Sequence, residues 1–300
     1  MKRKVVKLGP ATLVISLPSK WTKENNVQVG DEIEVQEQNK TLYIEATARK
    51  KTAKEITIEI TEENEHDLKH ILTHVYRLGY DKITVKGKNI SDVKKMANAL
   101  LMGFEITSRD NNECIIENIT EPEDQKYATV LRRIFLTIKE TQEFLKRSIQ
   151  EGKFSKEENE ELRNQVDKYV FFCRRIIYRQ SNKEDILNWE LLTFLMHIQH
   201  THYYLYKYIL EKGVKKDNAL LPILKELQNY FDLFYQSYFS KDEKLIHKIQ
   251  KMKDTYQFGK CLKLIDENKN HVIYSYIREI FRLIQLGTSP VLSLSLKDFQ

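Results

Sequence analysis

The period of the apolar residues changes along this chain, and that change constrains its fold more than any other feature. Over residues 1–48 the apolar side chains alternate: Leu13, Ile15 and Leu17 fall on one side, Val14 and Ser16 on the other, and Ile33/Val35 and Leu42/Ile44 repeat the spacing. A period of two belongs to strands. From Pro122 onward the spacing is alternately three and four, as in helices. Residues 55–119 mix both. The expected fold is therefore multidomain α+β, with a strand-rich head at 1–48, a small α+β middle domain at 55–119 and an all-α region at 121–290.

Within the head, Pro18 suits the first turn of a helix, where its missing N–H costs nothing, so a short helix is predicted from about Pro18 to Asn25. Gly30-Asp31 and Gln38-Asn39-Lys40 supply turns. The order is strand, strand, helix, strand, strand. Fewer than about 50 residues in short strands bury little apolar surface, which favours an obligate dimer. Residues 49–54, Arg-Lys-Lys-Thr-Ala-Lys, read as a solvated linker.

The middle segment predicts strands at Glu55–Ile60, Lys82–Val85, Phe104–Ser108 and Glu113–Ile119. It also predicts helices at about Asn64–Leu78 and Ser91–Leu101, the first stopped by Gly79 and the second capped by Ser91. The remainder reads as six helices with breaks near Gly152, Ser181, Gly213, Ser240 and Asn268. Short connections between long helices make antiparallel bundles, so two tandem three-helix bundles are expected, at about 123–212 and 216–287.

Charge separates the regions further. Net charge is +6, and Lys2, Arg3, Lys4, Lys7, Lys20 and Lys23 all fall within residues 1–23, which contain no acid. Residues 55–120 hold 8 basic and 12 acidic side chains, and residues 121–300 hold 30 and 25 spread along the helices. The concentrated positive charge is N-terminal, where a polyanion would bind. Lys7, Gly9 and Pro10 interrupt the apolar run that a secretory signal needs, and no run of about 18 apolar residues appears, so neither a signal peptide nor a membrane-embedded segment is expected. Cys114, Cys173 and Cys261 are odd in number and far apart, and they read as core thiols of a cytoplasmic protein.

The stretch from Leu8-Gly9 through Leu13-Val14-Ile15-Ser16-Leu17-Pro18-Ser19-Lys20-Trp21 to Gly30-Asp31-Glu32-Ile33-Glu34-Val35 resembles the AbrB/MazE/SpoVT swapped-hairpin DNA-binding family. The resemblance covers residues 1–47. It implies that two chains interleave their hairpins into one β-barrel, a homodimeric head lying on double-stranded DNA. Arg3 matches the family's basic position on the first strand, and Lys23 one at the end of the short helix. Thr12 falls near an arginine that follows the turn glycine in bacterial members and is missing here. With the other head cations, this assigns DNA binding to Arg3, Lys4, Lys7, Thr12, Lys20 and Lys23.

The helical tail resembles the PhoU family, regulators of phosphate uptake built from tandem three-helix bundles. The order of head, α+β middle and tail looks like archaeal PhoU-type regulators. That family binds metal clusters through Glu/Asp-x-x-x-Asp and Arg-Ile-Ala-Asp-like segments. Here Arg163 takes the first acidic position before Asp167, and Gln285 replaces the Asp after Arg282. A lone Asp beside an Arg does not supply the several oxygens a hard cation wants, so no metal and no other cofactor is expected.

His197, His200 and His202 form a histidine cluster, but on a helix His202 turns away from the other two, which favours a hydrogen-bonded His202 and two surface histidines over a metal site. Tyr203, Tyr204, Tyr206 and Tyr208 read as helix-packing residues rather than a base-stacking surface. No Gly-rich phosphate loop, nucleophile elbow or zinc-protease helix is present, so the chain is not expected to be an enzyme. The leading expectation is a cytoplasmic, homodimeric, DNA-binding transcriptional regulator of phosphate homeostasis. Its tail would sense an effector or meet a phosphate transporter or signalling protein. The alternative is an adaptor that docks on such a partner without binding DNA.

Overall fold

The computed structural model describes residues 2–38, 41–45, 53–88, 90, 92–120, 125–180, 185–214 and 218–296. The chain divides into two compact units, Met1–Ala53 and Lys54–Gln300. Most of the 49–54 linker, the Asn39-Lys40 turn, Ser91, Pro122 and Ser181 lie outside the described residues.

In the first unit the alternating segments pair as two antiparallel hairpins, β1 (Val6–Leu8) with β2 (Thr12–Val14) and β3 (Glu34–Gln38) with β4 (Thr41–Glu45). Helix α1 spans Ser19–Glu24 between them, with Pro18 just ahead of the first helical residue. Its end is set locally. Asn26 adopts φ 52°, the Val27 N–H donates to the Thr22 carbonyl at 2.9 Å, and the Asn26 N–H donates to that of Lys23 at 3.2 Å. These paired bonds around a left-handed residue are the Schellman stop, which Asn tolerates better than most side chains. Gly30, at φ 96°, then permits a turn in which the Asp31 carboxylate accepts from the Gln28 N–H at 2.7 Å. The described residues form no closed barrel, since each hairpin has only two strands.

The second unit starts with a four-stranded sheet, order β5-β6-β8-β7, formed by β5 (Glu55–Glu59), β6 (Lys82–Lys86), β7 (Phe104–Arg109) and β8 (Glu113–Asn118). β5 and β6 are parallel, and β8 runs antiparallel to both of its neighbours. Alternation places Ile58, Ile83, Val85, Cys114 and Ile116 in the core. On the other face the Lys82–Glu117 and Lys86–Glu113 pairs, each 3.2 Å apart, sit directly opposite in the register. Helices α2 (Leu68–Arg77) and α3 (Val93–Leu100) connect the strands and pack against the helical region that follows. The expected start of α2 at Asn64 is instead a 3-10 turn, Glu65–Asp67, held by Asn64, which accepts from the Thr61 N–H and donates to the Glu59 carbonyl.

The helical region comprises α4 (Gln125–Glu151), α5 (Lys156–Gln180), α6 (Asp185–Glu211), α7 (Leu221–Ser240), α8 (Glu243–Lys253), α9 (Cys261–Glu267) and α10 (His271–Leu296). A π-helical stretch, Asp254–Lys260, joins α8 to α9 without a break, so the fifth helical segment continues to Glu267. α2 and α3 both rest on α5. α4, α5 and α6 pack on one another, as do α7, α8 and α10. These groups share a core: α6 lies along α10, and Phe135 of α4 sits 5.6–5.9 Å from the rings of Phe231, Phe234, Tyr235, Tyr238 and Phe239 of α7. One hydrophobic core runs from the sheet to α10. No helix among the described residues is long and apolar enough to cross a membrane.

Candidate nucleic-acid interface

Cross-strand pairing decides which head residues share a face. Val6 lies opposite Val14, Lys7 opposite Leu13 and Leu8 opposite Thr12. Cross-strand partners share a face and neighbours along a strand alternate. Lys7 and Leu13 therefore lie on one face of the hairpin, and Thr12 lies on the other with Val6, Leu8 and Val14. The hairpin separates two residues that the sequence assigned to one DNA surface, Lys7 and Thr12. Arg3 and Lys4 precede β1, while Lys20 and Lys23 project from α1. All six are exposed. Lys20 faces Glu24 at 3.8 Å, with 84% and 62% of the two side chains exposed, so water screens that pair.

The same unit leaves its apolar side chains uncovered. Among its described residues none is buried, and Val6, Leu8, Leu13 and Val35 are all more than half exposed. Val14, Leu17, Trp21, Val27, Ile33 and Ile44 reach only partial burial. A two-stranded hairpin is marginally stable by itself, and exposed apolar faces are surfaces on which proteins commonly associate.

The helical positions singled out in the sequence engage one another or their own helices, although the buried Arg163 Nε has no hydrogen-bond partner. Asp167 is buried, accepts from the His200 Nε2 at 2.7 Å and lies 3.8 Å from the Arg163 Nε. Gln285 donates to the Gln250 amide oxygen at 2.9 Å, and the Gln250 amide donates to the Thr288 hydroxyl at 2.6 Å, a neutral chain where acids would be needed for a cation. Arg282 pairs instead with Glu279 at 3.3 Å. Among the described residues no three His, Cys, Asp or Glu side chains come together as a metal set.

His202 is wholly buried. Its Nδ1 lies 2.8 Å from the Ile198 carbonyl, which only accepts, so Nδ1 carries the proton and Nε2 accepts from the Gln142 amide at 3.4 Å. Burial pushes its pKa down to about 4. His197 is exposed, but His200 is half-buried rather than on the surface, because Asp167 holds it. Of the tyrosines, Tyr206 stacks on Phe144 with centroids 4.8 Å apart and its hydroxyl accepts from the Ser155 N–H at 2.7 Å, whereas Tyr204 is exposed.

Two neighbouring arginines that sequence reasoning passed over, Arg174 and Arg175, lie buried in the second unit. Arg175, 1% exposed, donates to the Tyr76 and Tyr80 carbonyls at 2.8 and 2.7 Å and to Asp81 at 2.7 Å, between the rings of Tyr76 and Phe104. Burial alone would raise the Asp81 pKa, but the hydrogen bond from Arg179 at 2.6 Å and the charges of Arg179 and Arg175 hold it below the usual carboxylate range. Arg174 points away from this cluster, toward α6, where it donates to the Thr193 hydroxyl. The signal was a pair of charges inside the apolar run Val170-Phe-Phe-Cys-Arg-Arg-Ile-Ile177, where an unpaired cation is costly. A scan against protein-family models finds no match to this chain, and searches of curated proteins and of solved structures find none either.

Proposed function

We propose that this protein is a homodimeric DNA-binding regulator, of the kind that controls phosphate uptake, with its N-terminal unit on duplex DNA and its helical region reading an effector or partner. One observation carries the DNA-binding part of the reading: a hairpin unit with no buried side chain among its described residues presents an exposed, acid-free N-terminal set of cations, Arg3, Lys4, Lys7, Lys20 and Lys23. A second copy covering the apolar faces of the hairpins, as in a swapped-hairpin barrel, would bring two such sets together along one duplex. Lysine and arginine on phosphates release condensed counterions, which gives affinity that falls steeply with salt and needs no reading of base edges. The phosphate-uptake assignment rests on the resemblance of the helical tail to PhoU-type regulators.

Fluorescence anisotropy of a labelled random duplex against the full chain, across a salt series, tests this. Wild type is expected to bind with a steep log–log salt slope, flattened in Lys4→Ala/Lys7→Ala/Lys23→Ala by about one unit for each phosphate no longer neutralised. A wild-type chain that leaves the duplex free at low salt overturns the DNA-binding reading and favours the adaptor, whose transporter or signalling partner is then sought with the helical region.

A further inference from the structure

The parallel strands β5 and β6 end side by side, and the segments that leave their carboxyl ends line a cavity of about 460 Å³. Ile60, Glu62 and Glu65 come from the segment after β5, Gly87 and Lys88 from the segment after β6, and Asn112 from the turn between β7 and β8. In open sheets the carboxyl ends of parallel strands are recurrent ligand sites, and this volume is that of a small-molecule pocket. The walls are fixed by backbone contacts. The Ile60 N–H donates to the Lys86 carbonyl at 2.7 Å, and the Gly87 N–H donates to that of Asn112 at 2.9 Å. A Cβ on Gly87, where φ is 154°, would lie 2.8 Å from the Ile60 carbonyl oxygen, so glycine alone lets the two strand ends come this close. On the other segment, Asn64 accepts from the Thr61 N–H at 2.8 Å and the Glu65 N–H donates to the Thr61 carbonyl at 3.0 Å.

The charges of this cavity are of both signs and do not meet. Lys88 lines the same space as Glu62 and Glu65, yet among the described residues no ion pair joins Lys88 to either carboxylate. The next cation along, Lys86, is taken by Glu113 at 3.2 Å. Lys88 and Glu62 are exposed and Glu65 is half-buried, so the charged groups are open to a ligand arriving from solvent. Ile60, 8% exposed, adds apolar surface between them and the sheet.

Opposite charges that line one space without touching complement a small ligand that carries both. We infer that this cavity binds a free α-amino acid, with Lys88 receiving its carboxylate and Glu62 and Glu65 its ammonium group. Each contact is a charge-assisted hydrogen bond, and Ile60 and Asn112 are left to meet the ligand's side chain. The site lies wholly within the second unit and does not depend on DNA binding by the first.

Thermal unfolding of the full chain with each of the common α-amino acids in turn, followed by calorimetric titration with the one that raises the melting temperature most, tests the inference. That amino acid is expected to bind once per chain. The amine that lacks its carboxylate and the acid that lacks its amino group are each expected to bind more weakly by about tenfold or more, because each leaves one charge of the cavity unanswered. Lys88→Gln, and separately Glu62→Gln with Glu65→Gln, are expected to weaken binding to the same degree while circular dichroism stays that of wild type. Arg109→Gln removes a cation that lines the neighbouring cavity and not this one, and it is expected to bind as wild type does. Lys4→Ala/Lys7→Ala/Lys23→Ala is also expected to retain binding, which separates this site from the head. The absence of any thermal shift or binding in wild type, equal binding of the amine or of the acid, or undiminished binding in Lys88→Gln overturns the inference.

Discussion

At the residue scale, Arg175 and His202 show two ways in which the second unit accommodates a buried polar side chain. Arg175 spreads its charge over two carbonyls and Asp81, so its charge is answered and the sheet layer is tied to α5. His202 is the neutral counterpart, with both ring nitrogens engaged and the pKa held at about 4 against an ordinary 6.5. Above pH 6.5 this histidine is neutral in both folded and unfolded chains, and its contribution is intact. As pH falls from 6.5 toward 4 the unfolded chain takes up a proton that the folded chain refuses, so stability declines, by about 3 kcal/mol across the window. Urea unfolding at pH 7 and pH 4.5 is expected to show His202→Gln gaining on wild type as the pH drops. Equal pH dependence in the two proteins would mean that His202 is protonated in the fold. Leu131, Ile134 and the rest of the apolar seams could be read from spacing alone. The partners of Arg174 and Arg175 could not be read from the sequence, since adjacent helical side chains point about 100° apart and their partners lie on different elements.

At the element scale, helix ends follow local chemistry closely. α1 stops at the Asn26 turn, and α2 stops at Gly79, where φ is 80° and an added Cβ would sit 3.2 Å from the Arg179 side chain. The fifth helical segment, by contrast, crosses Asp254–Lys260 as a π turn that spacing does not reveal. There Gln257 is buried, its amide donates to the Phe281 carbonyl at 3.4 Å, and Tyr256 stacks on Phe281 with ring centroids 4.6 Å apart. α10 likewise runs on past its expected end near 287, through Pro290, because a helix packed along both α6 and α7 loses more by ending than by forgoing one hydrogen bond. Gly287 marks that packing, since a Cβ there would lie 2.9 Å from the Phe234 ring, itself fully buried. Gly287→Ala gains about 1 kcal/mol of helix propensity but overpacks a closed aromatic cluster at a cost of about 1–3 kcal/mol. A net loss of stability is expected in denaturant titration, and a more stable variant would show that the Phe234 ring yields freely.

At the scale of the whole molecule the two units contrast sharply. Lys54–Gln300 has one continuous core, while among the described residues of Met1–Ala53 none is buried. A dimer through the head predicts a sedimentation mass of two chains. Leu13→Glu with Ile15→Glu, both exposed on the first unit, is expected to shift that mass to one chain while the helical signal in circular dichroism persists. A wild-type monomer at micromolar concentration would remove the dimer from the proposal.

By itself the sequence determined the order and kind of the elements, because period two and period three-to-four are imposed by backbone geometry within a few residues of each position. The turns at Gly30-Asp31 and Gly79 were legible for the same reason. Only the tertiary structure decided that the sheet layer and the helices share one core, that Lys7 and Thr12 lie on opposite faces of the hairpin, and that Arg174 is buried against Thr193 and Trp189 of α6 while Arg175 reaches Asp81. Each of these depends on register or on helices brought together from distant parts of the chain, and pairwise packing at such separations leaves no local period to read.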